Sequence, residues 1–555
     1  MLILINECYR LTIIGYVFVR KISPSFHYFE QNQTNVLLPY HKPAAVLKYL
    51  LSTEPWILLG GLMPGCQAQQ LLQTFWGAYK FEHPSHEIFS TPGIDFKFTI
   101  PLLLHGDGAR TLKKQPLEVI SIHPVLGLDT MQRAAKCPCQ NSTVFSGVDL
   151  SDPCCLRLNS KHNSYLTHFL LCAFPSKKYK KLPGLLKAML EAISQDLAAV
   201  CSAGWIHDGN VYKFAVLGMK GDMEYHSKTG LLNRSYMNVG HVNMIKVCHE
   251  CHGGDRAYPF EDFRSTAAWK STLYIDAPWD RPPPFRHLSF EPWMSGNAAR
   301  FFKRDPLHIF RLGVARNLCG SAVVLLCLRG LFDDADDSVA IDNRLARAWS
   351  HFSLWCDTHS VSPASMRGFT KEKLHYKTSN SFPWIGCKGA DTILLLRWLR
   401  WFSSFQLGLN PGSTVLGSVV KACQNGLDFQ MIYRHGIFLR PHCRLQVLQS
   451  CRKFCHAYAE LASVCYSEGL TLFSMVPKAH AFAHVDHSLE MSRRAGDPIS
   501  CNPALFDCSM SEDFVGQVAR QSSRLSYRNT VDNTLLAYRV RAKLVIQRFK
   551  KQRGL

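Results

Sequence analysis

The chain has 555 residues, 47% hydrophobic and 19% charged, with 63 Lys and Arg against 42 Asp and Glu for a net charge of +21 and a pI near 9.2. That balance excludes a disordered or collagen-like chain and leaves room for a large core and about two to four domains. The positive excess favours an anionic partner, nucleic acid being the commonest. The 21 cysteines are irregularly spaced, the pattern of reduced intracellular thiols rather than of a disulfide framework. The apolar start, Met1 to Ile5, is interrupted by Asn6, Glu7 and Arg10 and has no basic segment before it, so it reads as an initial strand or a mispredicted start rather than as a signal peptide or membrane anchor.

Residues 1–90 are mixed in character, with a helix expected around Gln70 to Tyr79 because Leu71, Leu72, Phe75 and Trp76 share a face. From there the pattern turns to strands. The apolar run Phe98–Leu104 stops at His105-Gly106-Asp107-Gly108, an acid between two glycines. Leu117–Ile122 reads as a second strand, followed by a loop bearing Cys137, Cys139, Cys154 and Cys155, and Tyr165–Phe174 as a third. After Pro183-Gly184 the three- and four-residue recurrence of Leu185, Leu186, Met189, Leu190, Ile193, Leu197 and Val200 predicts a helix. A fourth strand, Phe214–Leu217, leads through Gly218 to Asp222. The order is β-β-β-α-β, a mixed α/β pattern, with acids after the first and fourth strands. Single acids at strand ends are commonly turn formers, but two brought together can hold hard divalent cations through oxygen.

Beyond Asp222 the composition changes, and residues 225–500 read as a largely helical insertion. Cys248-His249-Glu250-Cys251 is a CxxC in a polar, glycine-flanked loop, a half-site for zinc or a pair of buried thiols. Asp276 to Pro284 is a proline-rich loop, and Asp305-Pro306-Leu307-His308 opens an apolar helix that runs to Leu328. His480 and His484 lie four apart on another expected helix, and without a glutamate between them in the HExxH manner they read as packing residues. In the last part, 501–555, Glu512 and Asp513 open a helix with Phe514, Val515 and Val518 inside. Its outer face and the segment beyond carry Arg520, Arg524, Arg528, Arg539, Arg541 and Lys543, a face that can lie along phosphates or simply meet solvent.

Taken in order, Asp107, Asp222, Cys248/Cys251, Asp305-x-x-His308 and Glu512-Asp513-Phe514 resemble the motif blocks of CACTA (En/Spm-type) DNA transposases, as in transposon-derived reading frames of dinoflagellates. The blocks His105–Gly108, Pro477–His480 and Glu512–Gly516 share in that likeness, which spans about residues 75–540. The resemblance implies a ribonuclease-H-like core, in residues 91–224 and 501–555, interrupted by the insertion. It implies three catalytic acids, Asp107, Asp222 and Glu512, holding Mg²⁺ or Mn²⁺ for DNA cleavage and strand transfer. It also implies zinc on Cys248, Cys251 and His308, with His252 or Cys319 as a fourth ligand. The partners implied are DNA, as transposon ends and target, and a second copy of the chain, with a nuclear location and no membrane. The alternative is a noncatalytic DNA- or protein-binding relic with a zinc-stabilised fold.

Overall fold

Ile100 to Leu104 has no polar alternation, and every second residue on either side must therefore be covered. In the computed structural model, which describes residues 25–31, 34–110, 116–130, 149–182, 184–334, 337–525 and 530–554, this run is the middle of a strand buried on both faces. The expected strand at Met1–Ile5, Cys137, Cys139, Pro183 and Arg528 lie outside the described residues.

A hairpin, β1 (Ser25–Gln31) and β2 (Thr34–Tyr40), precedes helices α1 (Pro43–Thr53) and α2 (Cys66–Glu82). The predicted α2 face is buried, and Trp76 Nε1 donates to the Thr99 carbonyl at 2.7 Å, which fixes the helix to the start of the central strand. That strand, β3 (Thr99–Arg110), pairs antiparallel with β4 (Pro116–Pro124), which pairs antiparallel with β5 (Phe169–Pro175). Tyr165, expected in the third strand, instead sits in a helical turn, Ser164–Thr167, because the Asn163 side chain accepts the Tyr165 N–H and starts a helix there.

Helix α3 (Leu185–Ala203) follows, then β6 (Trp205–His207) and β7 (Asn210–Lys220). The sheet order is β5-β4-β3-β7-β6, with β3 and β7 side by side and parallel. The edge strand β6 is a hairpin partner of β7, turned at Asp208-Gly209, where both residues have positive φ. This Asp-Gly signal for a two-residue turn stands in the sequence but was not part of the expected strand order.

The two faces of the sheet bury different residues, as the period of two demands. Ile120 and Ile122 join the main core, whereas Leu117 and Val119 join a second cluster with Phe514, Val515, Val518, Leu535 and Tyr538. Those last residues come from α11 (Ser509–Ser522) and α12 (Thr530–Arg553), so the end of the chain covers one face of a sheet formed some 400 residues earlier.

Helix α4 (Met223–Thr229) leaves the sheet at Asp222. From Gly230 to Arg304 the chain is mostly irregular with short 3₁₀ turns, wrapped around buried Trp269, Trp279, Phe285, Phe290, Phe301 and Phe302. A π-helical turn, Leu307–Val314, runs directly into α5 (Ala315–Leu328). The two together are long and apolar enough to cross a membrane, but 78% of the apolar window is buried in the protein core. Helices α6 (Ile341–Thr358), α7 (Gly389–Leu409), α8 (Thr414–Phe429), α9 (Pro441–Ser467) and α10 (Pro477–Arg494) pack around α5 and its π turn. The described cysteines are all free thiols.

Candidate active site and metal centre

Asp107 stands near the end of β3, and Asp222 two residues beyond the end of its parallel neighbour β7. Glu512 opens α11, which packs across β3. Three chain segments thus bring one acid each to the same end of the sheet. Asp222 uses one oxygen to accept the Tyr225 N–H at 2.6 Å, capping α4 and aligning the carboxylate. Gly106 is a packing requirement: a β-carbon there would overlap the Tyr225 ring. Asp513, one residue from Glu512, turns away and accepts from Ser164 Oγ and Gln517 Nε2, both at 2.6 Å.

The acids feel one another. Burial, then the Asp222 charge, push Asp107 up to about 6; burial, then the Asp107 charge, push Glu512 up to about 8. The two carboxyls lie within hydrogen-bond reach and titrate as a pair that retains a proton at neutral pH. Glu512 Oε1 is buried without a hydrogen-bond partner, and the His105 Nε2 that lies 3.9 Å away belongs to an imidazole that burial keeps uncharged. The site therefore holds a buried carboxyl oxygen that no protein donor meets.

Asp305 and His308 belong to this site. Asp305 accepts the N–H of Leu307 and, from the other side, of Cys508 at the start of α11, both at 2.9 Å, so it ties the π turn to the Glu512 helix. Its Oδ2 meets His308 Nδ1 at 2.5 Å. Burial alone would lower the imidazole, but the bond and charge of Asp305 raise it to about 9, so His308 is a cation beside Asp107 and Glu512 at neutral pH. The expectation of His308 as a zinc ligand is corrected: its ring stands beside the acids, and the four donors that gather around the CxxC do not include it. Lys478, at the start of α10, donates to the Leu312 carbonyl at 3.4 Å; burial lowers it to about 8, while Asp222 and Asp305 oppose the shift.

The CxxC finds other partners. Cys248, Cys251, His480 and His484 place their donor atoms within 4.8 Å of one another, all buried. His480 and His484, expected to be packing residues, thus supply the second half of a Cys₂His₂ set. His252 instead faces Asp276 at 3.0 Å, and the Cys319 thiol faces the Thr392 carbonyl, so neither is the fourth ligand. The Sγ–Nε2 separations are 3.4, 3.2 and 3.5 Å, and the two Nε2 atoms lie 3.0 Å apart. Tetrahedral zinc with ordinary bond lengths gives edges of about 3.5 Å for S–N and about 3.3 Å for N–N.

Tautomers point the same way. His480 Nδ1 donates to the Phe260 carbonyl at 3.0 Å, and His484 Nδ1 faces Glu250 at 3.2 Å, so both Nε2 lone pairs face inward. Two lone pairs cannot bond each other; a cation between them resolves the conflict. Burial opposes thiolate at Cys248, yet its surroundings, the hydrogen bond from the Cys251 thiol first among them, lower it, while burial and the bond to and charge of Cys248 hold Cys251 protonated. A divalent metal lets both be thiolates. The N–H groups of Glu250 and Gly253 donate to the two sulfurs, and a β-carbon at Gly253 would come within 2.8 Å of the His480 ring. Glu250 is in turn paired with Arg304. The set can bind a metal such as zinc.

The expected phosphate-facing cations divide. Arg520, Arg524 and Arg541 are exposed and Lys543 is half-buried, but Arg539 is only 4% exposed on the inner side of α12, which corrects its assignment to a solvent face. Further along α12, Lys550 pairs with Glu54 and Arg553 with Asp129. Compared with known proteins, the chain matches no protein-family model and no curated protein.

The raised acids give a pH prediction for the metal-free protein. Carboxyls whose folded pKa exceeds the ordinary 3.8 and 4.5 stabilise the fold at low pH and lose that contribution as pH rises through about 6 and about 8. Asp107→Asn should therefore raise the Tm at pH 8 by about 1–2 °C, with little effect at pH 5. An equal shift at both pH values would show that the acids do not repel one another.

Proposed function

We propose that the chain is a transposase-like, metal-dependent DNA-cleaving and strand-transfer protein of the CACTA type, acting in the nucleus through Asp107, Asp222 and Glu512. The observation that carries this reading is the arrival of those three carboxylates, from segments over 100 and nearly 300 residues apart, at one end of the sheet, with the proton affinities of Asp107 and Glu512 raised. The adjacency of parallel β3 and β7 in the order β5-β4-β3-β7 supports a ribonuclease-H-like core, although the edge strand β6 runs antiparallel to β7.

The three acids would hold Mg²⁺ or Mn²⁺, which supply Lewis-acid activation of water and charge neutralisation at the phosphate in an in-line displacement. The chain's own residues prepare that site. Asp222 is aligned by its cap bond to Tyr225, Asp305 fixes Glu512 by holding the start of α11, and the His308 cation faces the position where a phosphate would bring negative charge. Exposed Arg520, Arg524 and Arg541 add attraction for the DNA backbone.

The alternative is a DNA- or protein-binding relic held together by zinc. It is favoured by one contrast: among the described residues the Cys₂His₂ donors gather within 4.8 Å, and the acids form no cluster that tight. Incubating the purified protein with DNA bearing the element's ends, with Mg²⁺ or Mn²⁺ and with neither, separates the two. Metal-dependent nicking at the ends is the expected result, whereas binding without cleavage under either metal would leave the relic.

A further inference from the structure

A cavity of 810 Å³ opens between the end of α2, the irregular segment before Asp305 and the outer side of α10. Its size is that of a small-molecule site. Lys303 lines it, only 4% exposed, and among the described residues its ammonium makes no hydrogen bond and no salt bridge. The Nζ instead lies 5.2 and 5.0 Å from the ring centres of Phe290 and Phe506. An ammonium taken out of water without an anion is costly, and burial lowers Lys303 to about 7.

Nearby donors are also under-used. Arg300 lies over the Tyr274 ring at 4.4 Å and gives one N–H to the Glu82 carbonyl, but its Nε is buried without a partner. Of the four acids on the walls three are engaged, Glu250 by Arg304 and His484, Glu490 by Arg493 and Arg494, and Glu82 by the Cys501 N–H at 2.8 Å; with Asp497 they stand against six cations, Lys270, Arg300, Lys303, Arg304, Arg452 and Arg494. Donors therefore exceed available acceptors in a partly apolar cleft. Lys and Arg side chains lining one cleft with Ser488, whose hydroxyl accepts from Arg304 and keeps its own proton to donate, suit a phosphate better than a neutral ligand.

We propose that this cavity binds a phosphorylated small-molecule anion, with Lys303 and Arg300 holding its phosphate. The site is separate from the acids and stands whether or not the chain cleaves DNA. It does adjoin working parts of the fold. Glu250 and His484 form part of its wall, and the Lys303 N–H donates to Met219 in β7 at 2.9 Å, three residues before Asp222.

Titration calorimetry of the zinc-loaded full chain with pyrophosphate, and separately with ATP, both without Mg²⁺, tests this. Saturable binding of at least one anion is expected, weakened roughly tenfold or more in Lys303→Met, the loss of one charge-assisted contact. Methionine packs between Phe290 and Phe506 as the lysine stem does. Should that variant fail to fold, Arg300→Gln, on a half-buried side chain, should show the same loss. Affinity for a DNA duplex should not change in either variant. No saturable binding of either anion would overturn the proposal, as would equal binding by correctly folded variants. So would a loss of duplex affinity without small-anion binding, since the phosphate would then be that of DNA.

Discussion

Glu512→Gln should reduce Mg²⁺-dependent DNA cleavage by on the order of 10³-fold or more while leaving folding and DNA binding near those of the parent. Glutamine keeps the length and one acceptor oxygen but cannot carry the charge a metal needs. The fold should tolerate it, because α11 is held by buried Phe514, Val515 and Val518 and by the bond from the Cys508 N–H to Asp305 rather than by the Glu512 carboxyl. The variant also removes the carboxyl that burial and the Asp107 charge push up to about 8, so without metal it should be at least as stable as the parent at pH 8. Asp513→Asn is the control. Its carboxylate is engaged by Ser164 and Gln517 on the other side of the helix, so cleavage should persist with at most a small loss of stability. Comparing initial cleavage rates of the two variants with matched thermal melts distinguishes a metal ligand from a first-turn acid. If Glu512→Gln cleaves as fast as the parent, the third acid is not Glu512.

Much of the sheet was legible because it is written in short-range patterns. The unbroken apolar run to Leu104, the strand at Leu117–Ile122, whose alternation suits a half-buried strand but which is covered on both faces, and the periodic face of α3 each depend on residues within one element. The turn at Tyr165 and the hairpin at Asp208-Gly209 were passed over although their signals, an Asn cap and an Asp-Gly pair, are equally local. What no short window contains is pairing across long stretches of chain. Cys248 and Cys251 meet histidines more than 225 residues later, and nothing near the CxxC indicates whether His252, His308 or His480 is its partner. The usable hint was the i, i+4 spacing of His480 and His484, which puts two imidazoles on one helical face and so completes the second pair that a zinc site needs. His308 was misassigned for the opposite reason. Its own local partner, Asp305, three residues earlier across one helical turn, anchors the ring beside the acids and outside the set that the cysteines join. Arg539 shows the same limit on the surface side: a basic run looks solvent-facing until the helix phase set by Leu535, Tyr538 and Ala542 turns one of its members inward.

Cys251→Ser should lose the bound zinc and much of the protein's stability together. Structural zinc sites contribute about 10–16 kcal/mol of binding free energy in small domains, and a metal here would join an irregular loop to a helix with no disulfide between them among the described residues. Without it, two inward-facing imidazole lone pairs and a buried thiol–thiolate pair are left around an uncompensated centre beside Trp269, whose ring lies 4.6 Å from both histidine rings. Relaxation should loosen α10 from the segment 248–254. Lys478 would then lose its position near Asp222 and Asp305, so cleavage should fail even when Mg²⁺ is supplied in excess. His484→Ala should behave alike. His308→Ala should not: it should retain one zinc per chain, because its ring bonds Asp305 and lies outside the set. Metal content by elemental analysis, read beside thermal melts before and after chelation, checks each step. Full zinc occupancy and an unchanged melt in Cys251→Ser would reduce the four residues to ordinary buried side chains, and the coupling of zinc to the acid site would fall with them.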